Sequence, residues 1–171
     1  MQNLNYGVIG NCSTAALISE KGAIEWLCFP EFDSPSVFAA ILDRQKGGHF
    51  GFKVTSDYKV TQSYVPHTNI LSTHFESEEG AFDVVDFMPC YPTSDGKDFY
   101  RPAEIYRYIR WAKGRPRMKV DYRPAPNYAR GKTIYNVTSQ YVETYSSVEN
   151  KDRQYLYSSL DLKKVVNHDE I

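Results

Sequence analysis

Apolar and polar positions alternate along most of the chain with a period of two, which places every second side chain on one face of a β-strand. The clearest case is 117–123, where Met118, Val120 and Tyr122 are separated by charged residues, so this strand is expected to have one solvated face. Comparable segments rich in β-branched and aromatic residues lie at 14–19, 23–28, 69–76, 81–88, 105–111, 133–138, 140–145 and 154–160. The sequence therefore predicts an all-β protein of about ten or more short antiparallel strands, and a sandwich suits it better than a barrel.

Short polar links between these segments predict hairpins. Glu20-Lys21-Gly22 separates the first two predicted strands, and Ser77-Glu78-Glu79-Gly80 separates 69–76 from 81–88. A third hairpin is predicted through Lys113-Gly114, between 105–111 and 117–123.

Only one segment predicts a helix. It spans 35–43, with Ser34 as N-cap, Pro35 in the first turn, where a missing N–H is harmless, and Gly47-Gly48 beyond its end. Near the carboxyl end, 160–166 is interpreted as the opening of a further strand, and its unpaired edge would permit a homodimer.

Charge and cysteine usage narrow the class of protein. The 171 residues include 20 Lys and Arg against 21 Asp and Glu, a net charge of −1, which argues against nucleic-acid binding. An apolar run long enough for a membrane span is missing, as is a secretory leader, so neither a membrane partner nor export is expected. Cys12, Cys28 and Cys90 lack a zinc or redox spacing, and we interpret them as reduced, mostly buried thiols of a cytoplasmic protein.

Motifs that carry chemistry are also missing. There is no nucleophile elbow, phosphate-binding glycine loop or His-Glu-x-x-His zinc motif, and the four histidines never pair at metal-ligand spacing, so no metal or cofactor is expected. Asp83 and Asp86 are an odd number of residues apart, which places them on opposite faces of a strand. We therefore expect one exposed and one turn-capping aspartate, with no catalytic role for either.

Six segments in a fixed order are more specific than composition. They are 6–18 (YGVIGNCSTAALI), 22–38 (GAIEWLCFPEFDSPSVF), 47–48 (GG), 64–71 (YVPHTNIL), 83–89 (DVVDFMP) and 122–128 (YRPAPNY). Together they resemble the start of bacterial proteins of glycoside hydrolase family 15, the glucoamylase, glucodextranase and trehalase-like enzymes. One departure concerns Gly10-Asn11-Cys12-Ser13, where the family commonly has Gly-Asp-Cys-Arg.

The resemblance implies a non-catalytic role for this chain. In that family the N-terminal part is an antiparallel β super-sandwich, and two glutamates in a following (α/α)6 barrel hydrolyse α-glucosides with inversion. The long helical periodicity of such a barrel is not found here, so residues 1–171 are expected to form the N-terminal sandwich domain alone, a fragment of a larger enzyme, inactive by itself. Its expected partner is the barrel of the same polypeptide, and it would meet the α-glucoside substrate only indirectly.

The segment from Trp26 to Pro35 is where a local function is expected. Its prolines and aromatic residues stiffen a loop that could press against a neighbouring domain, and we predict that Trp26, Phe32 and Asp33 face the catalytic domain near its sugar pocket. An internal corner held by Ser34 explains the same residues equally well. Two further interpretations stay open: a free-standing carbohydrate-binding module with exposed, coplanar aromatic rings, and a segment required only for folding of the barrel.

Overall fold

The computed structural model describes residues 5–54, 57–148 and 152–167, which form fifteen strands and one short helix. In chain order these elements are β1 (Tyr6–Gly10), β2 (Ala15–Ser19), β3 (Ile24–Cys28), β4 (Ser36–Phe38), β5 (His49–Lys53), β6 (Lys59–Tyr64), β7 (Leu71–Glu76), β8 (Gly80–Phe87), β9 (Tyr91–Pro92), β10 (Phe99–Tyr100), β11 (Tyr106–Gly114), β12 (Lys119–Arg123), β13 (Thr133–Val137), β14 (Val142–Ser146), β15 (Gln154–Leu156) and α1 (Leu162–Asn167). The all-β class predicted from the alternation is confirmed.

Two antiparallel sheets face each other. The first sheet has the order β1-β2-β3-β5-β12, with β4 added beside β3, and the second has the order β11-β8-β7-β6. A third sheet, β13-β14-β15, and a small ribbon of β9 and β10 complete the described strands. The hairpins β2–β3 and β7–β8 form as predicted.

Cross-strand register places the large apolar side chains of both main sheets in the interior. In the first sheet Ile9 pairs with Ala16, Ala16 with Leu27, and Leu27 with Phe38, and all four residues are buried. They belong to one core cluster with Leu71 of the second sheet. A smaller cluster forms around Phe75, Phe82 and Val84, where the rings of Phe75 and Phe82 stack with centroids 4.6 Å apart. Residues two apart on a strand therefore share the dry face, as the period of two requires.

A buried ion pair also joins the two main sheets. Arg107 on β11 donates from Nε to Asp86 Oδ1 at 2.8 Å and from Nη2 to Oδ2 at 3.1 Å. The same guanidinium donates to the main-chain carbonyls of Phe50 and Gly22 in the opposite sheet, and it lies 4.7 Å from the centroid of the Phe50 ring. A charge this deeply buried needs such complete pairing, and here the pairing fixes one sheet against the other.

The helix predicted over 35–43 is wrong. Ser36–Phe38 is strand β4, in register with the end of β3, and both Val37 and Phe38 are buried. Ala39 and Ala40 then donate to the carbonyls of Gly47 and Gly48 across the loop. Residues 36–38 are all buried, so the strand shows no alternation of apolar and polar positions. Such a continuous apolar run cannot be distinguished from a buried helix by its periodicity.

The strand predicted over 160–166 is also wrong, because Leu162–Asn167 is the helix α1. Asp161 begins it, accepting from Lys163 N at 2.9 Å on its side chain and from Val165 N at 3.1 Å on its carbonyl. Leu162 and Val165, three residues apart, are both buried, which is the spacing of a helix face. The strand edge on which a homodimer was predicted therefore does not exist in this segment.

The third predicted hairpin is wrong as well, although both of its strands exist. β11 pairs with β8 in the second sheet, whereas β12 pairs with β5 in the first. Arg115 N donates to Glu79 O at 2.9 Å, and Pro116, which has no N–H to continue a ladder, follows it. The link between the two strands thus crosses from one sheet to the other. β12 keeps its predicted wet face at Lys119 and Arg123, which are exposed, whereas Asp121 on the same face is buried.

Candidate functional site

The loop between β3 and β4 presents Phe32 and Asp33 at its tip. Cys28 pairs with Ser36, so residues 29–35 leave and re-enter neighbouring strands. Phe32 is 62% exposed, and Asp33 beside it is exposed as well. Because the Phe32 ring is largely exposed on a short loop between two paired strands, it is available to contact a partner surface.

The backbone of this loop is firmly anchored. Ser34 N donates to Glu31 O at 3.2 Å, and Glu31 N donates to Ser34 Oγ at 3.0 Å, so Ser34 closes a turn rather than capping a helix. Phe32 N donates to Ser13 O at 3.0 Å, which ties the tip to the loop after β1. The internal corner and the exposed tip therefore coexist: the backbone is held and the Phe32 ring is left outside.

Trp26 is placed by strand β3 and not by the loop. It pairs with Leu17, which pairs with Val8, so these three residues form one row across the outer face of the first sheet. Val8 is exposed, and Leu17 and Trp26 are half-buried. The structure thus brings Phe32 and Asp33 together at the tip and places Trp26 on the adjoining sheet face.

Asn11 joins a third segment to this end of the sandwich. Its buried side-chain amide donates to Pro102 O at 3.0 Å, and its oxygen accepts from Ser13 N at 3.1 Å and Thr14 N at 3.2 Å. An ionised carboxylate could not make the donation to Pro102, so the asparagine suits this position. The unusual residue at position 11 was visible in the sequence, but its partner, 91 positions away, was not.

Three segments therefore meet at one end of the molecule, and we refer to them as the loop end: residues 11–14, 29–35 and 91–102. The last of these adds the exposed aromatic residues Tyr91, Phe99 and Tyr100, which sequence analysis did not single out. The rings of Tyr91 and Tyr100 lie 5.3 Å apart between centroids. The loop end thus combines exposed aromatic rings with a fixed backbone.

A cavity of about 760 Å³ opens beside the loop end, between the two main sheets. Phe29 and Pro30 line it together with 103–107 and β15. Two exposed residues of its lining are hydrogen-bonded: Tyr106 donates its hydroxyl hydrogen to Glu104 Oε2 at 3.0 Å, and this hydrogen bond raises the pKa of Tyr106. Most of the lining is apolar.

The buried carboxylates of the described residues are ion-paired. Asp83 and Asp86 lie on opposite faces of β8, as their offset predicts, but both are buried, so the expectation of one exposed and one turn-capping aspartate is wrong. Burial acts to raise the pKa of Asp83, but hydrogen bonds from His74 and Arg110 outweigh it, and the pKa is lowered. A hydrogen bond from Arg153 likewise lowers the pKa of Glu143. Carboxylates held ionised in this way are unsuited to general-acid catalysis, which needs a raised pKa.

The remaining predictions on chemistry concern thiols, metals and membranes. Cys28 is buried, but Cys12 and Cys90 are exposed, so the prediction of mostly buried thiols is wrong. Over residues 5–54, 57–148 and 152–167, no three His, Cys, Asp or Glu side chains cluster in a way that could hold a metal ion. The helix of the described part of the chain is too short to cross a membrane.

Comparison with known proteins gives a consistent set of relatives. The family of trehalase-like N-terminal domains matches residues 5–150. A trehalase of Thermoplasma acidophilum is 33% identical over 155 residues, which cover 89% of this chain and 26% of the relative. A trehalase of Thermoplasma volcanium is 36% identical over 132 residues (75% and 20%), and trehalase 1 of Sulfolobus acidocaldarius is 51% identical over 85 residues (48% and 14%). The chain thus spans about a quarter or less of these relatives, and no solved structure matches it.

Proposed function

Since the chain belongs to the family of trehalase-like N-terminal domains, we propose that it is the non-catalytic N-terminal domain of a family 15 glycoside hydrolase. The hydrolysis itself, an inverting acid/base reaction on an α-glucoside, takes place in an (α/α)6 barrel of the same polypeptide. Two observations support this division of labour. The relatives are several times longer than the matched region, and the buried carboxylates described here are locked in ion pairs.

The domain packs on that barrel through the loop end and helps to shape the face that carries the sugar pocket. The observation that carries this proposal is Phe32, an exposed ring on a loop whose backbone is hydrogen-bonded to a neighbouring loop. A rigid aromatic anchor binds a partner at low entropic cost, because little order has to be imposed on association. Asp33 beside the ring supplies a charge that can pair with the partner.

The names of the relatives indicate trehalose as the substrate of the full-length enzyme. The three relatives described above are all named trehalases, and this chain is similar to a part of each of them. Maltose and isomaltose are the other α-glucosides of the class. We infer that the protein acts in the cytoplasm, where its three free thiols would stay reduced.

A free-standing carbohydrate-binding module is the second candidate. Such a module stacks sugars on coplanar, solvent-facing rings. The rings of Phe87 and Tyr106 are nearly parallel, with an interplanar angle of 7°, but they stack on each other with their centroids 5.2 Å apart. The exposed rings of Tyr91 and Tyr100 are tilted by 58°. Neither of these two ring pairs forms a flat, solvent-facing platform, which favours docking over sugar stacking at the loop end. A segment needed only for folding of the barrel would leave turnover unchanged once the enzyme has folded.

The docking surface is tested by substitutions in the full-length enzyme. We expect Phe32→Ala and Asp33→Ala to split one cooperative melting transition into two and to lower the turnover of trehalose by about fivefold or more. The matched control is Tyr108→Ala, because Tyr108 is 63% exposed against 62% for Phe32 but lies on the second sheet. Unchanged turnover together with unchanged melting cooperativity in both loop variants would contradict the proposal.

A further inference from the structure

A second cavity, on the outer face of the first sheet, has a charged lining in which basic side chains predominate. It has a volume of about 670 Å³ and lies over β5 and β12, bordered by residues from 44–48 and 123–133. Its ionisable lining consists of Arg44, Lys46, His49, Lys53, Asp121 and Arg123. Four of these six are permanent cations and one is an anion, in a chain whose net charge is −1. Positive charge is therefore concentrated here.

Asp121 orients the basic groups at the base of the cavity. Its Oδ2 lies 2.8 Å from His49 Nε2 and 2.9 Å from Lys53 Nζ, and its Oδ1 accepts from Arg123 Nε at 2.6 Å. The Asp121 side chain is 5% exposed, whereas those of Lys53 and Arg123 are about half exposed. One carboxylate offsets one unit of charge, so the group as a whole stays cationic toward the cavity.

Small residues form part of the cavity lining. Gly48 has φ +73°, and a Cβ built on it would lie 2.5 Å from Arg123 O, so a larger residue is excluded there. Ala125, Ala129 and Gly131 form the opposite wall. Ala129 sits in a tight turn in which its N donates to Ala125 O at 3.1 Å. The backbone is thus closely packed where Gly48 meets the end of β12.

Two acidic groups close in sequence or space to the cavity lining have hydrogen-bond partners of their own. Asp43 accepts from Gln45 N at 2.8 Å and Lys46 N at 3.1 Å within its own turn. Glu25, in an adjoining hollow that Arg44 also lines, accepts from the hydroxyl of Tyr6 at 2.6 Å. Neither carboxylate lines the basic cavity, so the exposed rim residues Arg44 and Lys46 face a space in which positive charge predominates.

We propose that this cavity binds a multivalent oxyanion, a phosphate or sulfate group, either free or carried by a sugar. Guanidinium and ammonium groups held around one pocket are the side chains that recognise such groups, through charge-assisted hydrogen bonds. Binding also relieves the mutual repulsion of Lys53, Arg123 and the rim cations. No residue of the loop end lines this site, so it does not depend on the docking proposal.

Titration calorimetry and thermal melting of the 171-residue chain with inorganic phosphate test the site. We expect saturable binding and a rise in melting temperature beyond that produced by sodium chloride at the same ionic strength. The double variant Arg44→Gln/Lys46→Gln removes two exposed rim cations and should weaken phosphate binding by about tenfold or more. The control Lys59→Gln/Lys163→Gln removes the same charge elsewhere and should bind phosphate as the unsubstituted chain does.

Two results would overturn the proposal: a phosphate effect that sodium chloride reproduces, or equal phosphate affinity in the rim variant and its control. The source of the group is decided by adding glucose 6-phosphate. Affinity about tenfold above that of inorganic phosphate would support a phosphorylated sugar, because the sugar ring then adds contacts. Equal affinity would support the free anion.

Discussion

At the scale of single residues, buried polar side chains decide how the loops of this domain are held. The Asn11 side chain donates from its Nδ2 to Pro102 O, and its Oδ1 accepts from the main-chain N–H groups of Ser13 and Thr14. Thr14 extends the same arrangement by donating its hydroxyl to Cys28 O at 2.5 Å. The loop end is therefore fixed by hydrogen bonds that a change of one functional group would break.

Replacing Asn11 with aspartate should destabilise the chain at neutral pH. The new carboxylate would face Pro102 O without a proton to donate, at a cost of about 2 kcal/mol in the free energy of unfolding. Burial would raise its pKa, so the penalty should shrink as the pH falls and the carboxyl group takes up a proton. Urea denaturation at pH 7 and pH 4.5 measures both effects.

The matched control for that substitution is Asn69→Asp. Asn69 also donates from its side-chain amide to a main-chain carbonyl, that of Gly10 at 2.8 Å, but it is exposed. Water can replace the lost donor there, so a cost well below about 1 kcal/mol is expected. Equal costs at the two positions, or a cost at Asn11 that does not change with pH, would contradict this account of the loop end.

Asp121 predicts a specific loss of stability in acid. Burial acts to raise the pKa of this carboxyl, but hydrogen bonds from Arg123, His49 and Lys53 outweigh it and hold the pKa well below its ordinary value. Its contribution is therefore complete above the unfolded pKa of about 4 and is lost as the pH falls toward the folded pKa. Asp121→Asn should cost about 2 kcal/mol at pH 7 and flatten the decline of stability below pH 4. Urea denaturation from pH 7 to pH 3 tests this, and parallel curves for both proteins would contradict it.

At the scale of elements, neighbouring strands carry the same ion pair on opposite faces of one sheet. Asp86 and Arg107 are partners across β8 and β11 on the inner face, and Asp83 and Arg110 are partners across the same strands on the outer face. The Arg107 side chain is 4% exposed and that of Arg110 is 61% exposed. The two pairs differ chiefly in burial, which makes them a natural comparison.

Arg107→Met should destabilise the chain far more than Arg110→Met. The first substitution leaves the Asp86 carboxylate buried without a countercharge, at a cost of about 3 to 5 kcal/mol in the free energy of unfolding. The second removes a solvated partner while His74 still contacts Asp83 at 2.7 Å, and should cost less than about 1 kcal/mol. Urea denaturation of both variants measures the difference. Similar costs would mean that the inner pair does not join the sheets as described.

The period of two was sufficient to predict the class and most strands, because alternation directly reports which side chains reach the core. It failed where the sequence lacks that information. The buried run through Val37 and Phe38 has no alternation, and the link after Gly114 reads as a hairpin although it crosses between sheets. Phe32 and Asp33 could be proposed from a stiff, aromatic loop, but the Pro102 contact and the basic cavity depend on residues far apart in sequence.

At the scale of the whole molecule, the described sandwich offers two candidate surfaces that share no residue. The loop end offers exposed rings on an anchored backbone, and the outer face of β5 and β12 offers a cationic cavity. The two main sheets are held together by apolar packing and by the Arg107 ion pair. Such a scaffold is suited to positioning a partner surface, and under the proposed function the acid and base of hydrolysis belong to another part of the polypeptide.

Trehalose hydrolysis by this chain, alone and mixed with the separately expressed catalytic segment of the full-length polypeptide, tests that division most directly. Maltose and isomaltose serve as competing substrates in the same assay. We predict that the chain alone has no activity and that trehalose turnover rises when the two parts are mixed, because docking completes the face around the sugar pocket. Hydrolysis of trehalose by the chain alone would contradict the account, since it would require a catalytic carboxylate pair within the sandwich.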